Sequence, residues 1–444
     1  MWLERLGLNA PFVACMVLCA TSCTNPPTAT PPIEEGFQQE PASPIPPTPQ
    51  GAEIEPASDV SILINAIQRL SEHGIDTNAY DLAGIEALAS TPEAQKDAIA
   101  KAWQLAATHL AHGYLDQETL APRTEPGIAE INMYAALIQG GDAETLAAAL
   151  STLAPQHPTY LALRRELTRQ RVAIAEETDP EAIARHAAWI DQLRVNLERW
   201  RWLPHNLGER SVLANIAGFD VTTFEEETPT SRYAAIFGKT QRQTPIFSNK
   251  IEYIIFNPWW EVPDSIARQD KLPQFRRDPG SIARFGYQVL DRQGNVLDPT
   301  TIDWNSVSSA SFPYRIRQAP GPQNALGQVK IMFPNPHNVY LHDTNDRSLF
   351  EAEQRTFSSG CVRVQNPLDL AAWILEDTPG WDRASIDTVV SSGKETRVDL
   401  PQPAPVYVVY MTAVSDSCGA VTYLQDIYTR DKAILDALQP SLSE

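Results

Sequence analysis

"MFPNPHNVYLHDTNDRSLFEAEQRTFSSGCVRVQNPLDLAAWIL", residues 332–375, holds two short runs of period two followed by a helix start. In "HNVYLHD", residues 337–343, strand alternation sends Val339 and Leu341 to one face and Asn338, Tyr340 and His342 to the other. In "CVRVQ", residues 361–365, the same alternation buries Val362 and Val364 and leaves Cys361 and Arg363 together. "NPLDLAAWIL" then opens a helix, with Asn366 as cap, Pro367 at the first position and Asp369 in the first turn. If the two strands are neighbours, an imidazole and a thiol share a cleft. A thiol is a poor nucleophile until deprotonated, and an adjacent imidazole both lowers its pKa and stores the proton. Cys361 is therefore the candidate nucleophile and His342 the candidate base, later the acid for a leaving amine. The small residues Ser359 and Gly360 allow close backbone approach, so their N–H groups and that of Cys361 are candidates for an oxyanion hole. On spacing alone the plainer alternative stands beside this one: a structural histidine at a strand end and a buried free cysteine.

Working outward, "RSVLANIAGFDVTTFEE", "IEYIIFN", "GQVKIMF" and "APVYVVYMTAVSD" are β-branched and aromatic runs separated by turn residues. They predict a β-rich domain over about 207–440. Within it, 258–325 is rich in proline and aromatics with few strand signals, and reads as a large inserted loop that covers a site. Upstream, 59–206 is alanine-rich with helical spacing, as in Ile64, Ile67 and Leu70 or Leu146, Ala149 and Leu153. Its last helix starts with Asp179 as cap and Pro180 in the first turn, and stops before Pro204. The fold class is α+β, helices first. Residues 24–58 are rich in Pro, Ser, Thr and Glu without apolar periodicity, an extended tether.

Residues 1–23 carry one early arginine, an apolar run from Pro11 to Ala20 and small residues ending at Cys23. This is an export signal, too short for a spanning helix. Its "ATSC" end resembles a bacterial lipobox, which makes Cys23 the expected lipidation site and membrane anchor, with an ordinary signal peptide cut nearby as the alternative. Of five cysteines, Cys361 and Cys418 would then remain as thiols. They could form one disulfide, but Cys418 lies in a turn composition, "SDSCGA", and is read as a bystander. A net charge of −20 over 444 residues excludes the phosphate backbone of nucleic acid as a natural partner. There is no phosphate loop, dinucleotide fingerprint or cofactor motif. No metal site is expected either: His109 and His112 read as helix C-terminal residues, and His337 and His342 face opposite sides of a strand.

The block 332–375 resembles the signature of the L,D-transpeptidases (YkuD-type catalytic domain), which carry a histidine, a spacer, Ser-His-Gly-Cys and a hydrophobic-Arg pair. "NLERWRWLP", "RQTPIFS", "NPWWEVPDSIARQDKLP" and "PGPQNALGQVKIMFPNP" look like the long subgroup with a helical scaffold domain. The resemblance implies a periplasmic enzyme acting on peptidoglycan stem peptides. Its cysteine would cleave the bond between the third and fourth residues of a tetrapeptide stem and pass the acyl group to a neighbouring stem's amine, giving a 3-3 cross-link. It matches Cys361 to the nucleophile, His342 to the base and Arg363 to a residue holding a stem carboxylate. Asp343 orients the loop or caps a strand end; Tyr340 lines the cleft or packs in the core. Trp259 and Trp260 fall in the lid, covering the stem or packing the loop. From Arg268 to Arg292 the lid carries six Lys or Arg against three Asp, a field for anionic stems or a solvated face.

Two departures stand out. Ser359 replaces the family's histidine before Gly-Cys, which removes a titratable ring and leaves Cys361 with a higher pKa. The peptidoglycan-binding module common in long members has no room here. An enzyme that hands the acyl group to water, a carboxypeptidase or cross-link hydrolase, and a catalytically impaired envelope scaffold are the competing readings.

Overall fold

The computed structural model describes residues 59–115 and 142–438, so the proposed signal, Cys23 and the tether lie outside the described residues. The first part is helical. Asp59–Gln68, Pro92–His112, Ala143–Thr152, Pro158–Glu176 and Pro180–Arg201 are its main helices. The last begins as the sequence reading has it: the Asp179 carboxylate accepts from the Glu181 and Ala182 N–H groups, satisfying donors that the first turn leaves orphaned.

The strands follow: β1 (Arg210–Asn215), β2 (Asp220–Glu225), β3 (Thr228–Gly238), β4 (Phe247–Phe256), β5 (Trp260–Glu261), β6 (Tyr287–Leu290), β7 (Val296–Leu297), β8 (Arg315–Gln318), β9 (Val329–Met332), β10 (Leu341–His342), β11 (Thr356–Ser358), β12 (Val362–Val364), β13 (Thr396–Val409), β14 (Ala413–Ser415) and β15 (Val421–Tyr423). The main sheet runs β11-β3-β12-β10-β9-β4-β13-β1-β2, and β2 pairs again with β3. That second pairing closes β3, β12, β10, β9, β4, β13, β1 and β2 into a ring with no free edge along it.

Alternation decides which core each residue joins. Val212, Ala214, Val406 and Val408 point into the ring with Ile254, Ile331, Leu341, Val362 and Val364. Leu213, Tyr407 and Val409, the residues between them on β1 and β13, join a second core with the helices through Leu163, Leu197 and Trp200. A strand hydrophobic on both faces thus glues barrel to helices. A buried ion pair lies within the helical layer: Glu198 and Arg201 are wholly buried and 2.6 Å apart. Glu198 also accepts from the Tyr114 and Leu115 N–H groups and the Trp202 indole, and Arg201 donates to the His73 carbonyl and the Tyr160 hydroxyl. Such satisfaction makes a buried charge pair tolerable.

The segment 258–325 differs from the expected loop. It folds as a small sheet of its own, β5-β8-β6-β7, with short helices between. Phe275 packs edge-on against Tyr287 and Trp304. Two- to four-residue strands give too little alternation to register as strands in sequence, while the aromatics that looked like loop packing are the core of this lid.

Candidate active site

The "HNVYLHD" run is strand only over Leu341–His342; the residues before it form a turn built by Asn335. Its side-chain oxygen accepts from the His337 and Val339 N–H groups, and its amide donates to the Phe333 and Val339 carbonyls. Asn338 takes a left-handed conformation, φ 53°, and its carbonyl accepts the Cys361 thiol with the sulfur 3.6 Å away.

β10 lies parallel and adjacent to β12, with Leu341 opposite Val362 and His342 opposite Arg363. Tyr340, His342, Cys361 and Arg363 therefore share the outward face, while Leu341, Val362 and Val364 fill the barrel. Register sets His342 and Cys361 on one diagonal of the parallel pair, without a hydrogen bond between them. The Nδ1–H of His342 donates to the Asp343 carbonyl at 2.5 Å, which fixes the tautomer and leaves Nε2 as a proton acceptor. Burial, then the Arg363 cation, pulls His342 down to about 3, so the ring is neutral. Burial pushes the Cys361 thiol up, opposed by hydrogen bonds from Tyr340 and by the Lys330 and Arg363 charges.

The turn carrying Cys361 is pinned from three sides. The Ser358 hydroxyl donates to the Cys361 carbonyl at 2.6 Å and accepts the Gly360 N–H at 3.1 Å. Thr244 donates to the Gly360 carbonyl and accepts the Gly238 N–H, tying the turn to the end of β3. Gly360 sits at φ 120°, which a side chain rarely adopts. One of the three N–H groups read as an oxyanion hole is thus engaged, leaving those of Ser359 and Cys361 for the role. The Ser359 hydroxyl accepts from Arg242, and the same guanidinium forms an ion pair with Asp270 of the lid at 2.7 Å. Position 359 therefore joins the Cys361 turn to the segment 258–325.

The remaining expected residues separate. Trp260 reaches the site: it shares a buried cluster with Tyr340, against which Cys361 packs. Trp259 faces the other way, its N–H on Glu395 and its ring under Arg317. The Asp343 carboxylate is turned inward, accepting the Gln328 N–H and pairing with Arg347, so it orders the loop behind His342. Arg363 leans on the Thr344 hydroxyl at 3.5 Å, and its Nε is buried without a partner. Cys418 is a free, exposed thiol at the β14–β15 turn, and His109 bonds the Tyr80 hydroxyl.

Three contributors escaped the sequence reading. Lys330 lies opposite His342 on β9, Arg242 comes from the loop after β3, and Asn338 acts through its main chain. Lys330 alone left a trace, a charged residue inside the apolar run "VKIMF".

Residues 209–390 match the family model described as the L,D-transpeptidase catalytic domain, and residues 52–167 match that described as the Scaffold domain. The chain carries the catalytic domain of the L,D-transpeptidase family. The match runs from β1 into the helix Arg383–Ser391 and so contains β9, β10 and β12. A Haemophilus influenzae protein named "Putative L,D-transpeptidase" is 36% identical over 245 residues, 55% of this chain and 48% of that protein. The chain thus spans about half the length of this curated relative. Among solved structures, the L,D-transpeptidase from Mycobacterium smegmatis aligns over 45% of this chain and 58% of its own at 14% identity, with a TM-score of 0.21. L,D-transpeptidase 1 of Mycobacterium tuberculosis aligns over 45% and 61% at 16% identity, with a TM-score of 0.18.

Proposed function

We propose that the chain is a peptidoglycan L,D-transpeptidase in which Cys361 is the nucleophile and His342 the proton relay. One observation supports this: the outward face of β10 and β12 carries His342 and Cys361 on one diagonal of the strand pair, with the imidazole held by the Asp343 carbonyl in the tautomer that leaves Nε2 able to accept a proton. In the acylation step the S–H proton passes to Nε2 of His342, and sulfur attacks the carbonyl between the third and fourth stem residues. The tetrahedral oxyanion is met by the Cys361 and Ser359 N–H groups. It collapses with loss of the fourth residue's amine, which takes the proton back from His342. The acceptor stem's amine then gives its proton to His342 and attacks the thioester, freeing the thiol and forming the 3-3 link. Burial draws the imidazole down to about 3, so it is neutral near pH 7 before it receives the thiol proton.

Arg363, desolvated and with an unpartnered Nε, suits a stem carboxylate. Export and a lipid anchor at Cys23 belong to the same reading and rest on the "ATSC" boundary; among the described residues no helix is long and apolar enough to cross a membrane. A solved L,D-transpeptidase complexed with imipenem, 17% identical to this chain, suggests the probe. Intact-mass spectrometry with imipenem should show one adduct on the wild type and none on Cys361→Ala; an adduct retained by Cys361→Ala refutes the assignment. Tetrapeptide stem with purified protein should give cross-linked dimer, whereas shortened monomer alone would mean that water is the acceptor.

A further inference from the structure

If Cys361 is the nucleophile, as proposed above, its thiolate needs a cation, and the usual suppliers are missing. His342 is neutral until it receives the thiol's own proton. The position before Gly360 is a serine, so no second imidazolium is available. Arg363 divides its charge with Asp346 and leans on Thr344.

We infer that Lys330 is the resident charge partner of the Cys361 thiolate. Three observations carry this. Register places Lys330 opposite His342 and His342 opposite Arg363, so the three lie in one row across β9, β10 and β12 on the outward face. The Lys330 ammonium sits 4.0 Å from the centroid of the Tyr340 ring, which packs in the cluster that Cys361 adjoins. Among the described residues Lys330 has no ion pair; Glu395 and Glu261 act on it only at longer range, behind Cys361 itself. A half-buried ammonium held over a phenol, with no carboxylate to neutralise it, is a standing field at the sulfur.

The charged and titratable groups around the thiol are few enough to name. The sheet supplies Lys330, Tyr340, His342 and Arg363. The lid supplies Lys271, which faces the Trp260 and Tyr287 rings, and Asp270, which is spent on Arg242 beside Ser359. Lys330 exchanges no proton in this scheme. The S–H proton goes to His342, the electron pair stays on sulfur, and the ammonium lowers the free energy of that charge. It takes over the electrostatic part of what a histidine at 359 would do.

The test uses the full chain with Lys330→Met and Lys330→Arg. The reactivity of Cys361 with iodoacetamide is followed against pH, with peptide mass spectrometry resolving residue 361 from the other cysteines. Methionine keeps an unbranched stem on the Tyr340 ring, and circular dichroism checks that both variants fold. Removing an adjacent opposite charge typically moves a pKa by about one to three units. The titration midpoint should therefore rise by at least about one unit in Lys330→Met, imipenem acylation at neutral pH should slow about tenfold, and Lys330→Arg should recover most of both. An unchanged midpoint in Lys330→Met overturns the inference, whether acylation is untouched or falls through weaker substrate affinity. The alkylation midpoint needs no turnover, so it reads Lys330's field even if imipenem acylation proves independent of Cys361.

Discussion

A single methyl group added at Gly327 should unseat the base from behind. Gly327 lies at φ 59°, and a Cβ there would stand 2.3 Å from Oδ2, 2.4 Å from Cγ and 2.6 Å from Cβ of Asp343. No rotation of the carboxylate relieves contact with all three atoms, so the main chain at Asp343 must move. The left-handed backbone costs an alanine about 1 kcal/mol. Losing the 2.9 Å bond from the Gln328 N–H to the Asp343 carboxylate adds roughly 1.5–3 kcal/mol, as expected for a buried bond to a charge. The pair with Arg347 adds little, since the guanidinium is more than half exposed. Gly327→Ala should thus lose about 2.5–4 kcal/mol in urea unfolding. Because the Asp343 carbonyl holds the Nδ1–H of His342, it should also lose tenfold or more in imipenem acylation rate, the scale expected of a misplaced catalytic group. Gly294→Ala is the matched control: φ 91° with nothing within 4 Å of the added carbon, so it should cost only the backbone strain and leave acylation intact. If Gly327→Ala is no less stable than Gly294→Ala and acylates at the wild-type rate, the coupling from Gly327 through Asp343 to His342 is wrong.

Glu198→Ala leaves Arg201 buried and unpaired and should cost about 3–5 kcal/mol in urea unfolding; a loss under 1 kcal/mol would mean that the pair contributes nothing. His73, His109, His157 and His342 are held neutral mainly by burial, at about 2, 4, 4 and 3. The unfolded chain therefore binds more protons below pH 6.5, and stability should fall between pH 6.5 and 4 by up to roughly 1.4 kcal/mol per pH unit for each ring; a flat midpoint over that window in urea titrations contradicts it. Burial raises the Cys361 thiol, so acylation should keep climbing on the alkaline side of neutrality, and a wild-type profile already level at pH 7 would reject that. Ser359→His puts its ring against Arg242, which disfavours an imidazolium there; its acylation–pH profile should stay within about half a unit of the wild type, and a large acid shift would show that the site welcomes a second ring.

Much of this protein is legible along the chain, because the information is local. Period-two alternation in 337–343 and 361–365 names the outward and inward residues; Asp179 and Pro180 start their helix as helix termini require; and the loss of apolar helical spacing after Asn206 marks the change from helices to strands. Cys361 and His342 stand on one face by that logic alone. What alternation cannot give is which strands are neighbours, since pairing is a long-range choice made by burial and ring closure. Only that choice put Lys330, 31 residues before the cysteine in sequence, in the row with His342 and Arg363, packed Trp260 in one cluster with Tyr340 while turning Trp259 away, and hid the Asp343 carboxylate behind His342. The lid was misread for a related reason. Its strands are too short to show a period, so their existence depends on aromatic side chains meeting from distant positions, and that meeting exists only in the folded molecule.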